Sequence, residues 1–220
     1  MGMDAGQLLL FVPTALLIAA TPGPDNLGVL ALGLSTGRRA SLGFALGCAA
    51  GCLNHTLLAV LGITALLATS PLALQLLQGL GAAYLGWIGL QSLRQCTKSS
   101  ALTSTAQSET TFLAHFRRGL IANAINPKVA LFFLAFLPQF VRPGNWSSAT
   151  QIAIFGLIFT LAAGAVFSMI ALSAGSLGRL LHAHPRLHNW LQGFSGVFFI
   201  ALALRLALTE LSPPPVRAPV

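Results

Sequence analysis

The chain has 220 residues, of which 55% are apolar and 7% charged. A soluble domain carries roughly 25% charged residues, so a water-facing globule and a disordered chain are both excluded. The net charge of +8 comes from 12 Lys and Arg against four acids. These bases are scattered over connections rather than set in a stripe with aromatics, which argues against nucleic acid as a partner and fits the loops of a membrane protein.

A spanning helix takes about 20 residues, and hydropathy divides the chain into six such segments. The predicted fold is therefore all-α: a polytopic bundle of six transmembrane helices in one membrane domain, with the lipid bilayer as its solvent. No Lys or Arg precedes the first apolar run, so that run is expected to be kept as a span rather than cleaved. It extends from about Gln7 to Leu34 and is interrupted by Thr21-Pro22-Gly23-Pro24. Thr21 is the expected N-cap of a restarted helix, with Pro22 at its first position, where a missing N–H costs little.

Arg38 and Arg39 follow in a tight turn. Span two covers about Ser41 to Ala68 and contains Gly43, Gly47 and Gly51, a small face for close helix approach. It also carries Asn54 and His55; the imidazole can relay a proton or simply bond a carbonyl. Cys48 and Cys52, four apart on one helix, are poorly placed for a disulfide and read as filler. Ser70-Pro71 closes this span, and span three runs from about Leu72 to Leu93, where Tyr84 and Trp87 either line a cavity or pack.

A polar stretch, Arg94 to Arg118, separates two halves. Span four, about Gly119 to Val141, is broken at Asn126-Pro127, again an expected N-cap followed by Pro, and then continues as an apolar half-helix. Span five covers about Thr150 to Leu172. His182 to His188 reads as a polar connection with no carboxylate close by in sequence, and span six covers about Asn189 to Leu208. The tail from 211 to 220, with Pro213-Pro214-Pro215, is expected to be disordered.

The breaks in spans one and four suggest two inverted three-helix repeats, about 1–96 and 112–210, joined by a cytoplasmic loop at about 97–111. Broken helices of this kind mark central sites in secondary transporters. Two half-helix N-termini facing a cavity would offer amides to a carboxylate, near Gly23 and Lys128. Asp25 and Lys128 sit beside the breaks, and a charge at the centre of a span costs about 2.5–3.5 kcal/mol on insertion scales. Burial favours the neutral form of Asp25, while a helix start or a nearby lysine favours the charged one. Asp25 is thus a candidate for taking a proton or a substrate ammonium, or for a structural ion pair with Lys128. Connections on one side of the predicted bundle hold eight Lys and Arg and those on the other hold three. The positive-inside rule therefore places both termini outside the cytoplasm. Phosphate loops, metal-ligand clusters and acyl-transfer triads are absent from the sequence, so no enzyme activity, cofactor or metal is expected.

At Thr21-Pro22-Gly23-Pro24-Asp25-Asn26 the sequence resembles the LysE/RhtB family of amino-acid exporters. The likeness continues through Gly37-Arg38-Arg39-Ala40, Gly43, Gly47, Asn54-His55, Gly81-Ala82-Ala83-Tyr84-Leu85 with Trp87, Asn126-Pro127-Lys128, Phe132-Phe133 and Leu137-Pro138-Gln139-Phe140. It covers about Leu8 to Leu208. The resemblance implies a six-span carrier of the bacterial inner membrane that exports amino acids or close derivatives, driven by the proton motive force. It maps the family's most characteristic positions onto Pro22, Gly23, Pro24, Asn126 and Pro127. The expected substrate and proton pathway comprises these with Asp25, Asn26, His55, Tyr84 and Lys128. The expected partners are an amino acid, protons and further copies of the chain. Two rival readings are a membrane thiol–disulfide conductor, which needs a reactive cysteine in each half, and a non-transporting membrane scaffold.

Overall fold

The two proline breaks organise the molecule. The computed structural model describes residues 5–69, 71–95, 111–142 and 146–211, and among these all regular structure is helical. Helix α1 (Ala5–Ala20) and α2 (Pro24–Ser35) form the first bent pair, turned by 52° at the break. Gly37, with φ of +100°, makes the turn into α3 (Arg38–Thr69), a backbone conformation that a side chain would disfavour. α4 spans Pro71–Gln95. α5 (Phe112–Ala124) begins at Thr111, whose hydroxyl caps the amide of Ala114.

The second break, bent by 50°, separates α5 from α6 (Pro127–Leu131). The expected apolar half-helix after it is not a regular α-helix. After α6 the backbone passes into a π-helical turn at Phe132–Phe136 and a 3₁₀ turn at Leu137–Phe140. Pro138 explains the change, because it has no N–H to continue the α ladder. α7 (Ser148–Ala183) is capped by Ser147, and a single residue, His184, links it to α8 (Pro185–Leu211).

Among the described residues, three helices are long and apolar enough to cross a membrane, or up to five spans if each bent pair counts as one. The exposed faces of these helices carry leucines such as Leu61, Leu161 and Leu204, while Gln7, Asp25, His55, Asn123 and Lys128 are buried. That distribution inverts the rule for soluble proteins and is the one a bilayer selects.

Three boundaries differ from the sequence expectation. Arg38 and Arg39, expected in a tight turn, open α3, and Gly37 alone makes the turn. α5 starts at Phe112, so Arg117 and Arg118 are helical rather than part of the polar stretch. The polar connection at His182–His188 shrinks to His184, with Pro185 starting α8 at once. Both helices extend beyond their apolar cores, since helix hydrogen bonding does not stop where hydropathy falls. The expected tail lies outside the described residues apart from Leu211, which is still helical, and the expected loop at 97–111 does so apart from Thr111.

Close packing explains the glycines. A Cβ on Gly47 would run into the backbone of Phe116, and one on Gly119 into the backbone of Phe44. α3 and α5 therefore meet backbone to backbone, as the Gly43, Gly47, Gly51 spacing predicts. α7 packs along α1 and α2, α3 against α7, and α4 against α8.

Helix polarity gathers the ends of α2, α4 and α7 with the starts of α3, α5 and α8. This end carries the exposed Arg38, Arg94, Arg117, Arg118, Arg179 and Arg186. The opposite end is closed. There Gln7 Nε2 donates to the Phe140 carbonyl at 2.7 Å and to Gln151 Oε1 at 3.3 Å. Gln151 Nε2 in turn donates to the Arg142 carbonyl at 2.8 Å. Beneath this clamp lies a buried cluster of phenylalanines, with ring centroids 4.5 Å apart for Phe11 and Phe155 and 4.9 Å for Phe132 and Phe159.

Candidate functional site

Each helix break frees backbone carbonyls that lipid cannot satisfy, and buried side chains supply the missing donors. Asn26 Nδ2 donates to the carbonyl of Ala19 at 2.8 Å. Lys128 Nζ reaches across from the second break to the Thr21 carbonyl, also at 2.8 Å. At the end of α5, His55 Nε2 lies 2.8 Å from the carbonyl of Asn123. A carbonyl only accepts, so that ring nitrogen carries the proton. Of the two roles open to His55, the structure shows the carbonyl bond.

The caps differ from each other. Asn126 is the N-cap of α6, as expected, and its side chain accepts from the Lys128 amide at 3.0 Å. Thr21 is not the N-cap of α2. Gly23 holds that position with extended backbone and no side-chain cap, and Pro24 is the first helical residue. The hydroxyl of Thr21 instead donates back to the Leu17 carbonyl, a local bond that competes with capping. At the second break Pro127 has no N–H and the amide of Lys128 is already engaged, so the Lys128 ammonium is the main donor that this break contributes.

Asp25 and Lys128 are both buried, and no ion pair within 4.0 Å joins them. The Lys128 ammonium lies 5.1 Å from the centre of the Phe199 ring, a cation–π contact. Asp25 Oδ2 accepts from Asn123 Nδ2 at 2.7 Å, while Oδ1 is buried without a partner. A cavity of about 10 Å³, the room of a single water, is lined by Asp25, Asn26, Cys52, Asn123 and Lys128 among others. Asn123 went unrecognised in the sequence. Its only signal there is a second asparagine three residues before Asn126.

On the other side of Lys128 lies a cavity of about 360 Å³. Pro22, Gly23 and Pro24 line it from the first break, and Asn126, Pro127 and Lys128 from the second. Tyr84 and Trp87 form a wall from α4, with ring centroids 5.5 Å apart, so both line the cavity. Gly23 and Lys128 border both cavities. A Cβ on Gly23 would lie 3.1 Å from Lys128 Nζ, so the glycine leaves room for the ammonium. The structure thus brings Pro22, Gly23, Pro24, Asp25, Asn26, Tyr84, Asn126, Pro127 and Lys128 together, with His55 reached through Asn123. Asn54 faces outward, exposed.

Cys48 and Cys52 are buried and free, and Cys52 Sγ donates to the Cys48 carbonyl at 3.6 Å. They share one helix, while Cys96 lies outside the described residues. Among the described residues, no three His, Cys, Asp or Glu side chains are grouped to hold a metal ion.

Spanning helices, two of them broken where buried charged and amide side chains meet beside a cavity, define a multi-pass membrane protein of transporter type. The profile described as LysE type translocator matches residues 16–210, and the chain belongs to that family. It is 33% identical over 211 residues to a membrane protein of Vibrio cholerae, covering 94% of this chain and 100% of that protein. It is 30% identical to the leucine efflux protein of Enterobacter sp., over 90% of this chain and 93% of that one. The threonine efflux protein of Salmonella typhi is 31% identical over 93% of this chain and all of its own length. No solved structure matches the chain.

Proposed function

We propose that this protein is a secondary carrier that exports amino acids or close derivatives from the cytoplasm across a bacterial inner membrane, driven by the proton motive force. The observation that carries the reading is the meeting of both helix breaks at one cavity. A buried ammonium stands on one side of that meeting point and a carboxylate with an unpartnered oxygen on the other. Membership of a family with relatives named for leucine and threonine efflux supports amino acids as the cargo. In this reading Lys128 receives the substrate carboxylate at Gly23. Asp25 carries the coupling proton, held in place by Asn123 and through it by His55.

Alternating access follows from the two ends. The 360 Å³ cavity extends from the breaks to Gln91, Ser92 and Gln192, toward the arginine-rich end. The opposite end is shut by the glutamine clamp and the phenylalanine cluster. With the arginine-rich end in the cytoplasm, this is the loading state. The exchange of partners between halves supports two inverted repeats, about 1–96 and 112–210, within one membrane domain. α3 packs on α5 as α7 packs on α1 and α2, and α3–α7 and α4–α8 pair across the halves.

Growth in high concentrations of single amino acids, with and without the protein, tests the proposal. Selective resistance to particular amino acids, abolished by a protonophore in an efflux assay, is the expected result. Equal growth across the whole panel would remove the exporter reading.

A further inference from the structure

The larger cavity has an unusual electrostatic make-up. Among the described residues, Lys128 is the charged side chain in its lining, and Asp25 borders the small cavity instead. An ammonium has three donors. Thr21 takes one of them, which leaves two for a guest. Beyond Lys128 the wall formed by the described residues is uncharged, with Leu27, Ile88, Tyr84, Trp87, Gln91 and Gln192 among its members.

We infer that this cavity selects amino acids with uncharged, apolar side chains and refuses basic and acidic ones. The inference rests on the exporter reading above and names its substrate class. A zwitterion that places its carboxylate on Lys128 neutralises the charge in the cavity. Its α-ammonium meets the glutamine side-chain oxygens and the faces of Tyr84 and Trp87, and an apolar side chain lies on Leu27 and Ile88. A second ammonium or a second carboxylate on the substrate would be desolvated with no opposite charge to meet it. A volume of about 360 Å³ stands at the small end of ligand pockets, so one amino acid enters it together with several waters.

The test uses the full-length protein in liposomes, with counterflow of labelled leucine, threonine, glutamate and lysine, so that no proton gradient is needed. Leucine is expected to exceed lysine and glutamate by about tenfold or more, since a single methylene already discriminates substrates by about 10–200-fold and an unpaired charge costs more to bury. Gln91→Glu adds a carboxylate to the wall and should shift the leucine-to-lysine ratio toward lysine by about tenfold. Gln192→Glu provides a second carboxylate from another helix. Ratios taken in the same vesicles do not depend on how much protein inserts. Equal counterflow of lysine and leucine by the unaltered protein overturns the inference while leaving it an exporter, as does an unchanged ratio in both glutamate variants. Counterflow of none of the four amino acids would instead bring down the exporter reading and this inference with it.

Discussion

Asp25 and Lys128 are the charges a bilayer has most reason to reject, and the fold holds them in different ways. Lys128 closes the first break by donating to Thr21, whereas Asp25 holds one bond from Asn123 and keeps an unpartnered oxygen. A buried acceptor with no protein partner costs about 1–3 kcal/mol or more unless a water meets it, and a carboxylate kept in such a place is a candidate for function. If the two charges were only a structural pair, removing one should be worse than removing both. The geometry leads to the opposite expectation. Asp25→Asn should insert at normal abundance and lose export, and adding Lys128→Met should not restore it. Efflux measured beside membrane abundance checks this, and recovery of export in the double variant would assign the two residues to an ion pair.

Among the helices, the contact of α3 with α5 is the least forgiving. Gly43, Gly47 and Gly51 form a face on which the backbone of α5 rests, and this contact places Asn123 against Asp25 and His55. Without a hydrophobic drive between helices in lipid, such close approach supplies much of the attraction. Gly47→Val should therefore destabilise the bundle by about 1–3 kcal/mol, the usual range for overpacking, read as a lower unfolding temperature in detergent. Gly62 is the control, since a Cβ there meets nothing within 4 Å. Gly62→Val on the same helix should leave that temperature nearly unchanged. Equal effects at the two positions would remove the packing explanation.

For the whole molecule, the asymmetry of charge and the asymmetry of closure coincide. The arginines gather at the end toward which the larger cavity extends, and the clamp of Gln7, Phe140 and Gln151 seals the end that is poor in them. The positive-inside rule then predicts an external C-terminus. A reporter fused after Leu211 should be active outside the cytoplasm, and one fused after Gln95 should be active inside it. The reverse result would invert the bundle and turn the cavity into an exit.

Much of this was legible along the chain, because hydropathy, proline chemistry and glycine spacing are local properties. Pro22, Pro24 and Pro127 mark breaks wherever they stand in an apolar run, and the 55% apolar composition decides for a bilayer without reference to any contact. The small face of α3 and the cap at Asn126 were likewise readable from a few neighbouring residues. Other features depend on partners far apart in sequence. Asn123 reaches Asp25 across 98 positions and Lys128 reaches Thr21 across 107, and no periodicity encodes which buried charge meets which carbonyl. Thr21 had the chemistry of a cap, yet its hydroxyl found the Leu17 carbonyl one turn back, and Gly23 took the capping position. Local chemistry chose the solvent and the breaks, and only the packing of the two halves decided that the ammonium and the carboxylate stand apart, the carboxylate at the small cavity and the ammonium between the two.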